Sequence, residues 1–152
     1  MTTKTEEITN SEDVLDSRDI IERIEYLEEL RDEFVLNESA TEDENPSWSE
    51  IAESQNDTES KWDETEEGQE YKALVSLRDE LESYCDDWKY GVWLIRESYW
   101  VEYCEELCED IGEIPSNLPW YIANHIDWEG VAREIKVDYT EADFDGITYY
   151  AR

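Results

Sequence analysis

The side chains that could do chemistry in this sequence are one histidine, three cysteines and a large excess of carboxylates. His125, in the run WYIANHIDW, has no serine or cysteine motif beside it that would form a nucleophilic pair. Cys104 and Cys108 lie one helical turn apart, but a structural zinc site needs four ligands. The glycines form no phosphate-binding motif, and no calcium-binding loop of the Asp-x-Asp-x-Asp-Gly type is present. We therefore expect no enzyme activity, no cofactor and no metal.

Residues 98–112, the run SYWVEYCEELCEDIG, combine an apolar stripe with closely spaced carboxylates. Trp100, Cys104, Leu107 and Ile111 recur there at helical spacing, which predicts one narrow apolar face. The remaining surface is mostly acidic, with no lysine or arginine, and its acids are Glu102, Glu105, Glu106, Glu109 and Asp110. Like charges at i,i+4 weaken a helix by a few tenths of a kcal/mol per pair. So many of them indicate a function other than stability.

The whole chain repeats this acidity. Its 152 residues include 44 Asp and Glu against 12 Lys and Arg, which gives a formal net charge of −32. Solubility alone calls for a magnitude of about 2–8. Seven tryptophans and ten tyrosines distinguish the chain from a disordered acidic tail, and predict a folded, aromatic core under an acidic surface. The odd number of cysteines fits a reducing cytoplasm, and no run approaches the length of a membrane span.

Two acidic helices are predicted in the first part of the chain. Residues 1–15 are expected to form a flexible arm, and Asp16 or Ser17 to cap a helix reaching about Leu36. The polar side of this helix carries the candidate contact acids Asp19, Glu22, Glu25, Glu28, Glu29, Asp32 and Glu33. A second helix is predicted from Glu66 to about Lys89. We expect residues 16–90 to form an antiparallel helical hairpin with an acidic connection at residues 37–65.

Residues 91–152 are predicted to form a small α+β unit. The run VWLIR at residues 92–96 is typical of a strand, and Asp127 can cap a further helix. Asp145-Gly146 between alternating apolar residues is a strong hairpin signal. The fold class is therefore α+β, mainly helical, with a three-stranded antiparallel sheet and two or three helices beside the hairpin of helices. The aromatic residues expected in the core are Trp120, Trp128, Tyr139, Phe144 and Tyr149.

The charge itself suggests a function. B-DNA carries about one negative charge per 1.7 Å of axis, so 32 charges equal those on about 54 Å of duplex, or roughly 16 base pairs. Rows of carboxylates on helices could meet the lysines and arginines that grip phosphates. Such a protein would occupy a DNA-binding groove as a mimic. Two alternatives stay open: adaptation of the surface to a salty cytoplasm, and binding of basic, histone-like proteins.

A resemblance bears on these alternatives. The runs YWVEYCEELCEDIG and PWYIANHIDWEGVAREIKVDYTEADFDGITYYAR resemble the C-terminal part of the ArdA family of antirestriction proteins, over about residues 97–152. The opening DSRDIIERIEYLEELRD is similar to that of phage-encoded proteins with the same ending. The resemblance implies an acidic DNA mimic, usually dimeric, that occupies the DNA-binding groove of type I restriction–modification complexes. The first ninety residues differ from the N-terminal module of that family.

The prediction is an antirestriction-type phage protein that inhibits a host DNA-binding defence complex by occupancy, with type I restriction–modification as the first target. A CRISPR effector is the alternative target, and a basic histone-like protein the alternative partner. Direct binding to nucleic acid or to a membrane is not expected, because no basic patch is present. The predicted location is the host cytoplasm. Aromatic residues around Trp93 and Trp120 would allow a homodimer.

Overall fold

The fold is an antiparallel four-stranded sheet with helices packed on both of its faces. The computed structural model describes residues 6–38, 60–115 and 117–152. In chain order the elements are β1 (Val14–Asp16), α1 (Ser17–Glu38), α2 (Glu66–Leu81), β2 (Trp93–Arg96), α3 (Trp100–Asp110), α4 (Trp120–Ala123), α5 (Trp128–Ile135), β3 (Thr140–Phe144) and β4 (Ile147–Ala151). Short 3-10 turns precede α3 and follow α5. The α+β class, mainly helical, is confirmed.

The strand order in the sheet is β1-β2-β4-β3, with every neighbouring pair antiparallel. β3 and β4 form the predicted hairpin, in which Phe144 pairs with Ile147. Asp145 and Gly146 both have positive φ, 50° and 87°, as a two-residue turn that matches the strand twist requires. The Asp-Gly signal is therefore confirmed at its predicted position.

Alternation along the strands separates two hydrophobic clusters. Leu94 and Tyr149 face α1 and α2, whereas Ile95 and Tyr150 belong to the cluster with α3 and α5. The first cluster takes its helical side chains from Ile20, Ile24, Leu27, Leu74, Leu77 and Leu81. The second is built from Trp100, Cys104 and Ala132. Because neighbouring residues of a strand point to opposite faces, α1 and α2 lie on one side of the sheet and α3 and α5 on the other.

The sheet has one strand more than predicted, and residues 6–15 are not a flexible arm. Ile8 and Leu15 are buried at 3% and 4% exposure, and β1 pairs with β2 so that Leu15 lies opposite Leu94. Arg96 of β2 also holds the N-terminal segment, because its Nε donates a hydrogen bond to the Asn10 carbonyl at 2.8 Å. The N-terminal segment thus belongs to the same core as the C-terminal strands, and no boundary between two units falls at residue 90. Residues 1–5 lie outside the described part.

The second helix is shorter than predicted. α2 ends at Leu81, and residues 82–90 form turns instead of continuing to Lys89. These turns bury Cys85 and Trp88 and leave Tyr84 exposed. Ser17 holds their end in place, because its hydroxyl donates to the Trp88 carbonyl at 2.8 Å and accepts from the Val92 amide at 2.6 Å. Contacts with the start of α1 therefore end the second helix earlier than the sequence predicted.

Two residues that were predicted to face the core are exposed instead. Ile111 is 58% exposed and Trp120 is 73% exposed, and Cys108 takes the buried place next to Cys104 on α3. Phe144 and Tyr149 are buried as expected, whereas Trp128 and Tyr139 are half-buried. Within the acidic connection predicted at residues 37–65, residues 39–59 lie outside the described part. Trp62, at its far end, is buried against Tyr71 with ring centroids 5.5 Å apart.

Candidate protein-interaction surface

The seven candidate acids of α1 lie on the surface of that helix, which we call the α1 acid face. Glu25, Glu29, Asp32 and Glu33 are exposed, and the other three are half-buried. Those three are Asp19, Glu22 and Glu28. The half-buried Glu28 accepts a hydrogen bond from the Tyr71 hydroxyl at 3.2 Å. None of the seven is buried, because the apolar residues of α1 occupy the side that faces the sheet.

The three arginines of α1 contact groups outside the α1 acid face. Arg18 pairs with Asp16 at 2.7 Å, and Arg23 is buried against Glu70 of α2 at 2.8 Å. The hydrogen bond from Arg18 holds the pKa of Asp16 below its usual value. The guanidinium of Arg31 lies over the ring of Tyr71 at 5.3 Å. Arg23 in particular faces α2, so its charge is turned away from the solvent side of α1.

The spacing of the α1 acids is close to that of phosphates. At 1.5 Å of rise per residue, the helix extends about 21 Å from Asp19 to Glu33. Seven carboxylates over that length give about one charge per 3 Å, against about one per 3.4 Å for a single DNA strand. The α1 acid face therefore presents the linear charge density of one strand of a duplex.

The α3 acid face is shorter and has no basic residue. Glu102, Glu106, Glu109 and Asp110 are exposed, and Glu105 is half-buried. The Tyr99 hydroxyl donates to a Glu106 carboxylate oxygen at 2.8 Å, and this bond raises the pKa of Tyr99. Glu106 is thereby oriented by a neighbour on the 3-10 turn before α3, while the other exposed acids of this face project into solvent.

The two acid faces are not brought together into one surface. α1 packs on one side of the sheet and α3 on the other, so a flat partner surface cannot contact both at once. A groove or cleft in the partner could enclose the protein from both sides. This arrangement is compatible with a duplex-like object, which also carries charge on opposite sides.

Further exposed acids lie outside the twelve that the sequence singled out. Asp86 and Asp87 project from the turns after α2. Next to them is a cleft with aromatic walls formed by Tyr84, Trp93 and Tyr103, with Tyr139 also lining it. The sequence carried no signal for this cleft, because residues 82–90 were predicted to continue the second helix to about Lys89.

The described residues include three cysteines and one histidine. No group of three or more His, Cys, Asp or Glu in those ranges is arranged to hold a metal ion. Cys85, Cys104 and Cys108 are buried free thiols, and burial raises the pKa of Cys104 to about 11. His125 is exposed, with its Nδ1 at 2.8 Å from the Tyr121 carbonyl oxygen.

Among the same residues, no helix combines the length and the apolar character that crossing a membrane requires.

Comparisons with known proteins returned no neighbour: no protein-family model matches the chain, and no curated protein or solved structure is significantly similar to it. The resemblance of residues 97–152 to the ArdA family therefore stays a prediction. The function has to be argued from the charge, the two acid faces and the aromatic cleft.

Proposed function

We propose that this protein is a DNA mimic that inhibits a DNA-binding defence complex in the cytoplasm of a host cell. It acts by occupying the groove that normally holds the duplex, without catalysis. A type I restriction–modification complex is the first target, and the resemblance to the ArdA family supports that choice. The protein is then an antirestriction-type protein of phage origin, and its partner is a surface of lysines and arginines.

The observation that carries the proposal is the α1 acid face. Its carboxylates follow one another at about the spacing of phosphates along one strand, and the buried Arg23 is turned away from them toward Glu70. The α3 acid face adds a second row on the opposite side of the sheet. Phosphate contacts supply most of the affinity in non-specific DNA binding, so a mimic of this kind needs no base edges.

Competition with DNA tests the proposal. A purified type I restriction–modification complex, bound to the protein in low salt, should release it when duplex DNA is added. DNA cleavage by the complex should fall as the protein is titrated in. A complex that keeps the protein bound at saturating DNA would contradict mimicry. A CRISPR effector in the same assay tests the alternative target, and a histone-like protein tests the alternative partner.

Charge-reversal variants distinguish the effect of the α3 acid face on inhibition from the effect of the total charge. The variant with Glu102, Glu105, Glu106 and Glu109 changed to lysine should inhibit less well. A matched control changes four exposed acids scattered elsewhere to lysine, and thereby shifts the net charge equally. Its positions are Glu64, Glu67, Glu134 and Asp138. Equal inhibition by the two variants would show that the α3 acid face is not part of the interface. Circular dichroism would verify that both variants fold.

A further inference from the structure

A cleft with aromatic walls opens beside the turns that follow α2. Its volume is about 450 Å³, and it is bordered by Tyr84, Trp93, Tyr103 and Tyr139. Trp93 is 60% exposed and Tyr84 is 72% exposed, so two large ring faces are open to solvent. Exposed aromatic groups in a concave site are the residues that most often dominate the energy of a protein interface. Tyr103 and Tyr139 also pack against Trp100, whereas Tyr84 and Trp93 belong to neither hydrophobic cluster.

The inner wall of the cleft is neutral. Tyr139 is half-buried, and burial with the neighbouring Tyr103 raises its pKa to about 12. Tyr139 therefore presents an uncharged π face at physiological pH. An aromatic face attracts a cation placed over it, and a planar guanidinium can also stack on the ring.

The charged residues at the cleft define what it can accept. Asp86 and Asp87 are exposed at its border, and Arg152 lines it as well, which leaves one net negative charge among these three. A second copy of the chain would bring another −32, and nucleic acid or anionic lipid would likewise be repelled.

We propose that the cleft bordered by Tyr84, Trp93, Asp86 and Asp87 receives an arginine side chain of the basic partner protein. This inference rests on the proposed function and adds a specific contact to it. A phosphate backbone has no aromatic cleft, so this contact is one that DNA cannot imitate. The acid faces attract any polycation, whereas the cleft selects a partner with an arginine at the matching position.

Hexaarginine and hexalysine peptides of equal charge provide the probes, with binding measured by calorimetry at fixed salt. The wild-type protein should bind hexaarginine about tenfold more tightly, as a partly desolvated cation–π contact provides. Trp93→Ala and Tyr84→Ala should each reduce that preference to about twofold, because they weaken hexaarginine binding more than hexalysine binding. Because both side chains are mostly exposed, neither truncation should unfold the protein. If one variant nevertheless failed to fold, the other would still test the inference.

The controls are Tyr90→Ala and Trp120→Ala, which remove aromatic side chains 79% and 73% exposed that do not line the cleft. Both should keep the full preference for arginine. Equal affinity of the wild-type protein for the two peptides would overturn the inference, as would a preference that survives in Trp93→Ala and Tyr84→Ala. An equal loss of the preference in the control variants would also overturn the inference. DNA competition of the captured target is a separate readout, so the cleft can fail while mimicry stands.

Discussion

At the scale of single residues, Glu70 differs from the acids that cover the surface. Its side chain is 7% exposed, and it accepts from Arg23 through both oxygens at 2.8 Å. One of those oxygens also accepts from the Ile8 amide at 3.1 Å. This carboxylate therefore joins α1, α2 and the N-terminal segment. Burying two charges gains little by itself, but removing one partner leaves the other uncompensated.

Glu70→Leu is expected to lower the free energy of unfolding by about 3–5 kcal/mol, because the buried Arg23 guanidinium loses both of its hydrogen bonds to this carboxylate. The double variant Arg23→Met/Glu70→Leu should recover much of that loss. Urea denaturation of the wild-type protein and the two variants measures both effects. A single-variant loss below about 1 kcal/mol would show that the pair is not desolvated as the structure indicates.

The buried thiols provide a second test at this scale. Burial raises the pKa of Cys104 to about 11, and a free cysteine titrates at about 8.5. Only the thiolate reacts, so the folded protein should react with a disulfide reagent at pH 8 no faster than it unfolds. The rate should rise as the pH approaches 11. Denatured protein is the reference, and rapid labelling of all three cysteines in the folded state would contradict their burial.

At the scale of elements, the sequence predicts the structure where a few neighbouring residues determine it. The Asp145-Gly146 turn and the Asp127 cap are of this kind: the Asp127 carboxylate accepts from the Gly130 amide at 3.1 Å. The end of α2 and the strand β1 depend on distant contacts instead. Ser17 and Trp88 are 71 positions apart in the sequence, and no local pattern at residues 82–90 reports that contact.

The cap of α5 makes a prediction about Gly130. A Cβ at this position would lie 2.5 Å from an Asp127 carboxylate oxygen. Gly130→Ala should therefore not yield the gain of about 1 kcal/mol that alanine normally brings inside a helix, because it disturbs the cap. In an Asp127→Ala background, which itself costs about 1 kcal/mol, the same change should be stabilising. Thermal unfolding of the four proteins completes the cycle, and additive effects would contradict the clash.

At the scale of the whole molecule, the sequence predicted the character of the surface better than its arrangement. All twelve candidate acids are exposed or half-buried, because the apolar spacing of α1 and α3 fixes which side faces the core. Their division between opposite sides of the sheet could not be predicted, because it depends on which strand residues each helix packs against. The aromatic cleft was missed for a different reason, because it forms where turns replace the expected helix.

The net charge of −32 makes stability depend on salt. Repulsion among the acids is strongest when the screening length is about 30 Å, at 10 mM salt, and falls as it shortens to about 8 Å at 150 mM. We expect the melting temperature to rise by several degrees over that range, since about 1 kcal/mol corresponds to roughly 2–4 °C for a domain of this size. A protein that folds only in molar salt would instead support adaptation to a salty cytoplasm.

The strand order has a kinetic consequence. β4 lies between β2 and β3 in the sheet, yet it is the last of the four to leave the ribosome. Until residues 147–151 emerge, β2 lacks one neighbour and the two hydrophobic clusters lack their shared wall of Tyr149 and Tyr150. Contacts between residues far apart in sequence slow folding, because loop closure must precede them. The nascent chain therefore carries all of the described acidic helices before its sheet is complete, and like-charge repulsion between such chains disfavours their aggregation during that interval.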